Sequence, residues 1–181
     1  MERFQLSPLI RLTLISLYVA LVLPLPLLSP DEMRLWMTCG FLFGLVLVVG
    51  LLSEQVETDA DGLKVGYPTW IGWLLRRGWS MRWHDIRALV PVGTSQGGTV
   101  YYLKSADLRH QLLPQRIERF DQFLTILRRE TNVSTGDIGR LTPPWTYQLL
   151  ASLAVLMILA ELGTAVAVAQ DWINFPAVNP S

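Results

Sequence analysis

One cysteine, two histidines and no excess of charge of either sign leave this chain of 181 residues few chemical tools. The lone Cys39 excludes an intramolecular disulfide, a zinc-finger spacing and a Cys-x-x-Cys redox pair. It sits inside an apolar run, where it reads as a small hydrophobe. His84 and His110 are too isolated for a metal site, which needs three or four convergent ligands. A net charge of zero gives no basis for bulk nucleic-acid binding. There is no Gly-x-x-x-x-Gly-Lys loop, no Gly-x-Ser-x-Gly elbow and no His-Glu-x-x-His helix. No catalytic residue, metal ligand or cofactor site is therefore expected. Charged residues make up only 17%, against 51% hydrophobic ones, and the mean hydropathy is +0.34. That balance is too apolar for an ordinary soluble domain.

What the chain does have is long apolar runs. Leu35–Leu52 reads LWMTCGFLFGLVLVVGLL, eighteen residues without a charge. As a helix it crosses a hydrocarbon core at about 1.5 Å per residue. Leu12–Leu28 precedes it across a short polar break at Ser29–Arg34, which makes a membrane hairpin. Pro24 and Pro26 fall near the far end of the first run, where they kink or finish the helix. The first run is long and lacks an Ala-x-Ala cleavage site, so it does not read as a cleavable signal peptide. A third run, Trp145–Val168, is broken only by Glu161, with Trp145, Tyr147 and Trp172 placed for the two membrane interfaces. Three spans put the termini on opposite sides. Ser29–Arg34 and Ala169–Ser181 hold one Arg and three acids, whereas residues 53–144 hold twelve of the fifteen Lys and Arg. The positive-inside rule then expects the N-terminus and central region in the cytoplasm and the C-terminus in the periplasm or a lumen.

The central region reads as strands followed by one helix. Candidate strands are Gln55–Asp59, Leu63–Tyr67, Trp79–Trp83, Ile86–Val92, Thr99–Lys104 and His110–Leu113, with apolar residues alternating at Leu63, Val65 and Tyr67, at Trp79, Met81 and Trp83, and at Ile86, Ala88, Val90 and Val92. Asp59-Ala60-Asp61-Gly62 and Gln96-Gly97-Gly98 mark turns. From Arg116 the period changes. Ile117, Phe120, Phe123, Leu124 and Leu127 fall on one face of a helix reaching about Glu130, with Glu118, Arg119, Gln122 and Arg129 opposite. The expected division is a hairpin at 1–52, a polar domain at 53–144, and a third helix with a short outer tail at 145–181.

Short antiparallel strands and a closing helix resemble a pleckstrin-homology-like domain. Arg82-Trp83-His84-Asp85-Ile86 is similar to the strand-end "W-x-D-I" signature of the bacterial members, and Arg119-Phe120-Asp121-Gln122-Phe123-Leu124 resembles the start of their closing helix. The hairpin-plus-domain layout over about residues 9–132 is also similar to the photosystem I assembly factors of cyanobacteria and chloroplasts, from which this chain differs by its third helix. Taken with the three apolar runs, the resemblance implies an α+β membrane protein in which three transmembrane helices carry a cytoplasmic antiparallel β-barrel closed by one helix. It also implies a binding or scaffolding role, with a membrane protein complex such as a photosystem as partner and a plasma or thylakoid membrane as location.

Three features carry functional expectations. Thr69–Trp83 packs four tryptophans and three arginines into fifteen residues. Trp79 and Trp83 alternate within a strand and are assigned to the core. Trp70, Ile71, Trp73 and Leu74, next to Arg76 and Arg77, are expected to dock on a partner membrane protein or on lipid, since indoles prefer the bilayer interface and Arg meets phosphates. The other reading puts these tryptophans in the core as well. Gly40 and Gly44 form a Gly-x-x-x-Gly pair suited to close helix approach. Glu161 is a carboxyl within a span, costly there if charged and alone. Arg34 is its expected basic partner, and a helix or assembly contact, an interfacial acid and ion transport are its three readings. The overall expectation is a non-enzymatic membrane-anchored scaffold. Its alternatives are an anionic-lipid-binding module and a small transporter or channel subunit.

Overall fold

A computed structural model of the chain describes residues 1–75, 78–95, 98–107, 109–135, 138 and 144–170. Three of its helices are long and apolar enough to cross a membrane: Pro8–Leu28, Asp31–Leu51 and Trp145–Ala167. The first is α1 (Pro8–Val22) continued by the short α2 (Pro24–Leu28), the break falling at the two prolines. Neither proline can donate a backbone N–H to the turn before it, which is why the helix is interrupted there. The second is α3 (Asp31–Leu51), and the third lies within α6 (Pro144–Ala169).

Among the described residues, seven strands and one long helix make up the polar body. They are β1 (Glu2–Gln5), β2 (Gln55–Thr58), β3 (Gly62–Gly66), β4 (Trp79–Arg82), β5 (Ile86–Gly93), β6 (Thr99–Ser105) and β7 (His110–Leu112). Two short helices sit among them, α4 (Thr69–Gly72) and a 3-10 turn at Trp83–Asp85; α5 (Phe120–Thr131) follows the last strand. All pairings are antiparallel, in a four-stranded sheet ordered β1-β2-β3-β4 and a three-stranded sheet ordered β5-β6-β7. The β2–β3 turn is held by Asp59, whose Oδ1 accepts from the N–H groups of Asp61 and Gly62 at 2.9 and 2.8 Å. Gly62 is needed at its end, because a Cβ there would run into the Met81 carbonyl of β4.

The first strand comes from the far side of the hairpin. Glu2–Gln5 pairs with Gln55–Thr58 in register, Phe4 opposite Val56. Residues 6–54, which include two candidate spans, are thus inserted between neighbouring strands of one sheet. Phe4 is fully buried and meets Phe123 edge-on, ring centres 5.7 Å apart.

The core joins both sheets to α5. Phe4, Val56, Leu63, Val65 and Met81 come from one sheet, Ile86 and Leu103 from the other, and Phe120, Phe123, Leu124 and Leu127 from α5. Trp83 belongs to this core and donates its indole N–H to Asp59 O at 2.9 Å, while Trp79 packs against it half-buried.

Two expectations need correction. The sheets are not closed into a barrel. The backbone beyond β1 bonds instead to the segment leading into α5, through a bridge between Leu6 and Ile117, Ser7 N to Arg116 O at 2.9 Å and Glu118 N to Gln5 O at 2.8 Å. The apolar face of α5 packs with residues of both sheets in the core. The helix also begins at Phe120 rather than Arg116, because residues 116–118 are spent on that ladder and Arg119 turns the chain with φ 49°. Positive φ is unfavourable for a residue with a Cβ. Here the Arg119 guanidinium lies 5.2 Å from the centre of the Phe4 ring and donates to Arg3 O at 3.1 Å, interactions that offset the cost.

Candidate docking site

The tryptophan-rich segment separates into a core part and a surface part. After β3, Pro68 starts the single turn of α4, with Ile71 N and Gly72 N both donating to Pro68 O. One side of this turn is pinned to the hairpin. Ile71 is only 3% exposed and lies against the last turn of α3, where a Cβ on Gly50 would come within 2.6 Å of Ile71 Cγ1. The absence of a side chain at Gly50 is what lets α4 seat there. Ile71, expected as a docking residue, is therefore enclosed within the chain.

The other side faces outward. Trp70 is 49% exposed, Trp73 79% and Leu74 48%. The Trp73 indole N–H donates to Trp70 O at 2.9 Å, which satisfies its polar atom locally and leaves the ring face open. Trp70, Trp73 and Leu74 thus form an apolar ledge on a turn fixed to the end of α3. Arg76 and Arg77, expected as the cationic part of this surface, lie outside the described residues. The cation that the described structure does bring to the ledge is Arg11, at the end of the first turn of α1: it lines one groove of about 170 Å³ with Trp70 and Pro68. The sequence signal was a charge at the foot of the first apolar run, level with the foot of the second.

The helix-packing residues lie elsewhere. Gly44 is about 9 Å along α3 from Gly50, at 1.5 Å per residue. There the Tyr18 side chain of α1 occupies the space a Cβ would need. The Tyr18 ring stacks on Phe41 with centres 5.7 Å apart, and its hydroxyl donates to Phe41 O at 2.8 Å. Gly40 has nothing within 4 Å of where its Cβ would be, so the two glycines of the pair stand in different surroundings.

Helix α6 lies along α1, running the same way. Thr13 Oγ1 donates to Leu9 O at 2.8 Å and is 3.2 Å from Tyr147 O of α6. Seven residues further along each helix, Ala20 and Ala154 are both fully buried. Seven more along α6 comes Glu161, on the line of Tyr147 and Ala154, and among the described residues its buried Oε2 has no hydrogen-bond partner. The expected partner, Arg34, pairs instead with Asp31 in the first turn of its own helix, 2.8 Å away. The histidines occupy surface positions: His84 Nε2 is 3.2 Å from Asp85 Oδ1, and His110 opens β7 with its side chain exposed.

No family model matches the chain, and no solved structure does either. The chain is similar to a curated protein of Synechocystis sp. named "Uncharacterized protein slr0269": 39% of residues are identical over 160 positions, which span 85% of this chain and 80% of the relative.

Proposed function

The chain belongs to the family of the Synechocystis protein slr0269, and from that premise we propose that it is a non-enzymatic membrane-anchored scaffold. Its body sits on the cytoplasmic face of a cyanobacterial-type membrane, thylakoid or plasma, and binds an integral membrane protein complex whose assembly or stability it assists. By the resemblance of the hairpin-plus-domain layout, that complex is a photosynthetic one.

The observation that carries this reading is the ledge of Trp70, Trp73 and Leu74. Large indoles held outward on a rigid turn, at the level where helices leave the body, are what an interface hot spot requires. Sidedness has its own support: β1 precedes the hairpin, β2 follows it, and the two strands pair, so both ends of the hairpin meet in one body. The excess of Lys and Arg in and beside that body supports the cytoplasm as its side. The order of seven antiparallel strands followed by an amphipathic helix supports a pleckstrin-homology-like relationship for the body.

Membranes containing the full chain, dissolved in mild detergent and resolved on native gels, test the reading. Co-migration with a larger membrane complex, lost in Trp70→Ser/Trp73→Ser, is the expected result. A chain that always migrates alone, with its fold intact, refutes it and leaves the ledge as a lipid contact.

A further inference from the structure

The hairpin is closed in mid-span and open at its foot. Tyr18 and Gly44 bring α1 and α3 together halfway along. Nearer the body, Ile10 and Leu14 of α1 and Leu51 of α3 line, with Leu112 and Ile117, a half-open cavity of about 450 Å³. Its floor is fixed rather than hinged, since the backbone ladder between residues 5–7 and 116–118 ties the foot of α1 to the body.

The lining is apolar, with a polar edge at Glu54, Gln115 and Arg116. Glu54 and Gln115 are engaged within the chain, Gln115 Nε2 donating to Thr99 O at 3.3 Å. Arg116 uses its backbone carbonyl for the ladder, and among the described residues its exposed guanidinium makes no ion pair.

We propose that this cavity holds one acyl chain of a membrane phospholipid, with the lipid phosphate on Arg116. A cavity lined by Leu and Ile does not retain water well, and this one falls within the range of ligand-sized sites. It lies at the end of two candidate spans, next to side chains left bare for lipid such as Leu12 and Leu51. A hydrocarbon tail is therefore the apolar group already present at that depth. The attached phosphate then arrives at headgroup level, where the guanidinium meets it with paired N–H donors. The site would fill the gap between hairpin and body with the bilayer's own material. It rests on the helices spanning a membrane and is independent of the docking at the tryptophan ledge.

Photolabelling of the full chain tests this, in nanodiscs of phosphatidylcholine and phosphatidylglycerol carrying a diazirine in one acyl chain of the phosphatidylglycerol. Peptide mapping is expected to find label on Leu112–Ile117, body residues that lipid confined to the outer helix faces does not reach. Arg116→Gln is expected to lower that label about tenfold, the loss of one charge-assisted phosphate contact, while label on α6 stays constant. Leu14→Trp, which fills the cavity, is expected to abolish it at an unchanged unfolding temperature. Label restricted to the outer faces of α1, α3 and α6 overturns the proposal, as does equal label on Leu112–Ile117 in wild type and Leu14→Trp. Equal label in wild type and Arg116→Gln overturns the phosphate contact.

Discussion

Helices α5 and α6 use apolar residues in opposite ways. In α5 they gather on one face, and Phe120, Phe123, Leu124, Ile126 and Leu127 all sink into the core between the sheets. In α6 they run all round, and Leu149, Leu153, Leu156, Leu159 and Leu162 point outward while Ala154 is fully enclosed. A helix of the first kind needs water on its polar face; one of the second kind needs hydrocarbon around it. The same contrast divides the whole chain. The body encloses its phenylalanines, and the long helices enclose little beyond small residues such as Gly50, Ala20 and Ala154. The tryptophan ledge, apolar and exposed, belongs by location to the body and by surface character to the helices.

Truncations at matched positions separate the two regimes most sharply. Phe123→Ala removes a fully buried ring that contacts both Phe4 and Phe120, and is expected to cost the body about 3–5 kcal/mol. Leu156→Ala on α6 exchanges protein–lipid for protein–lipid contact and is expected to stay within about 0.5 kcal/mol. Denaturant titration of the body in detergent micelles measures both, and equal losses would erase the distinction.

A smaller pair lies at the ledge. Ile71→Ala opens the seat on Gly50 and is expected to cost about 2–4 kcal/mol. Trp73→Ser is expected to leave stability within about 0.5 kcal/mol while weakening association with the partner. Unfolding of the body by Trp73→Ser would instead mark that ring as structural.

The glycines offer a third contrast. Gly44→Val pushes against Tyr18 and is expected to cost about 1–3 kcal/mol, whereas Gly40→Val meets open space and is expected to be tolerated. Thermal unfolding in detergent reads the difference. A small effect is expected at Arg3, paired with Glu57 at 2.7 Å across the β1–β2 ladder with its side chain 57% exposed. Arg3→Gln is expected to cost about 0.2–1 kcal/mol and less in high salt.

The elements with regular periods were legible before the structure. The strands at Gly62–Gly66, Trp79–Arg82 and Ile86–Gly93 lie where alternation places them, those at Gln55–Thr58, Thr99–Ser105 and His110–Leu112 where the flanking turn residues do, and the three apolar runs are the three span-length helices. What the sequence hid were the long-range pairings. Glu2–Gln5 is four residues long with one acid and one base; Phe4 and Leu6, alternating with polar neighbours, are its local sign of a strand, and its partner lies about fifty residues away. The start of α5 was misplaced for the same reason, since Arg116–Glu118 bond to that distant segment. At the ledge, the apolar pattern of Trp70-Ile71-Gly72-Trp73-Leu74 could not tell which member would turn inward. That was decided by Gly50, a residue read only as part of a span.

The central proposal is that the ledge touches a membrane-protein partner and the exposed face of α5 does not. A photoreactive amino acid at position 73, compared with one at position 125 on the exposed face of α5, tests it in intact membranes. The account predicts a discrete adduct with an integral membrane protein from position 73 and none from position 125. Adducts with lipid alone at position 73, or the same protein adducts from both positions, would contradict it.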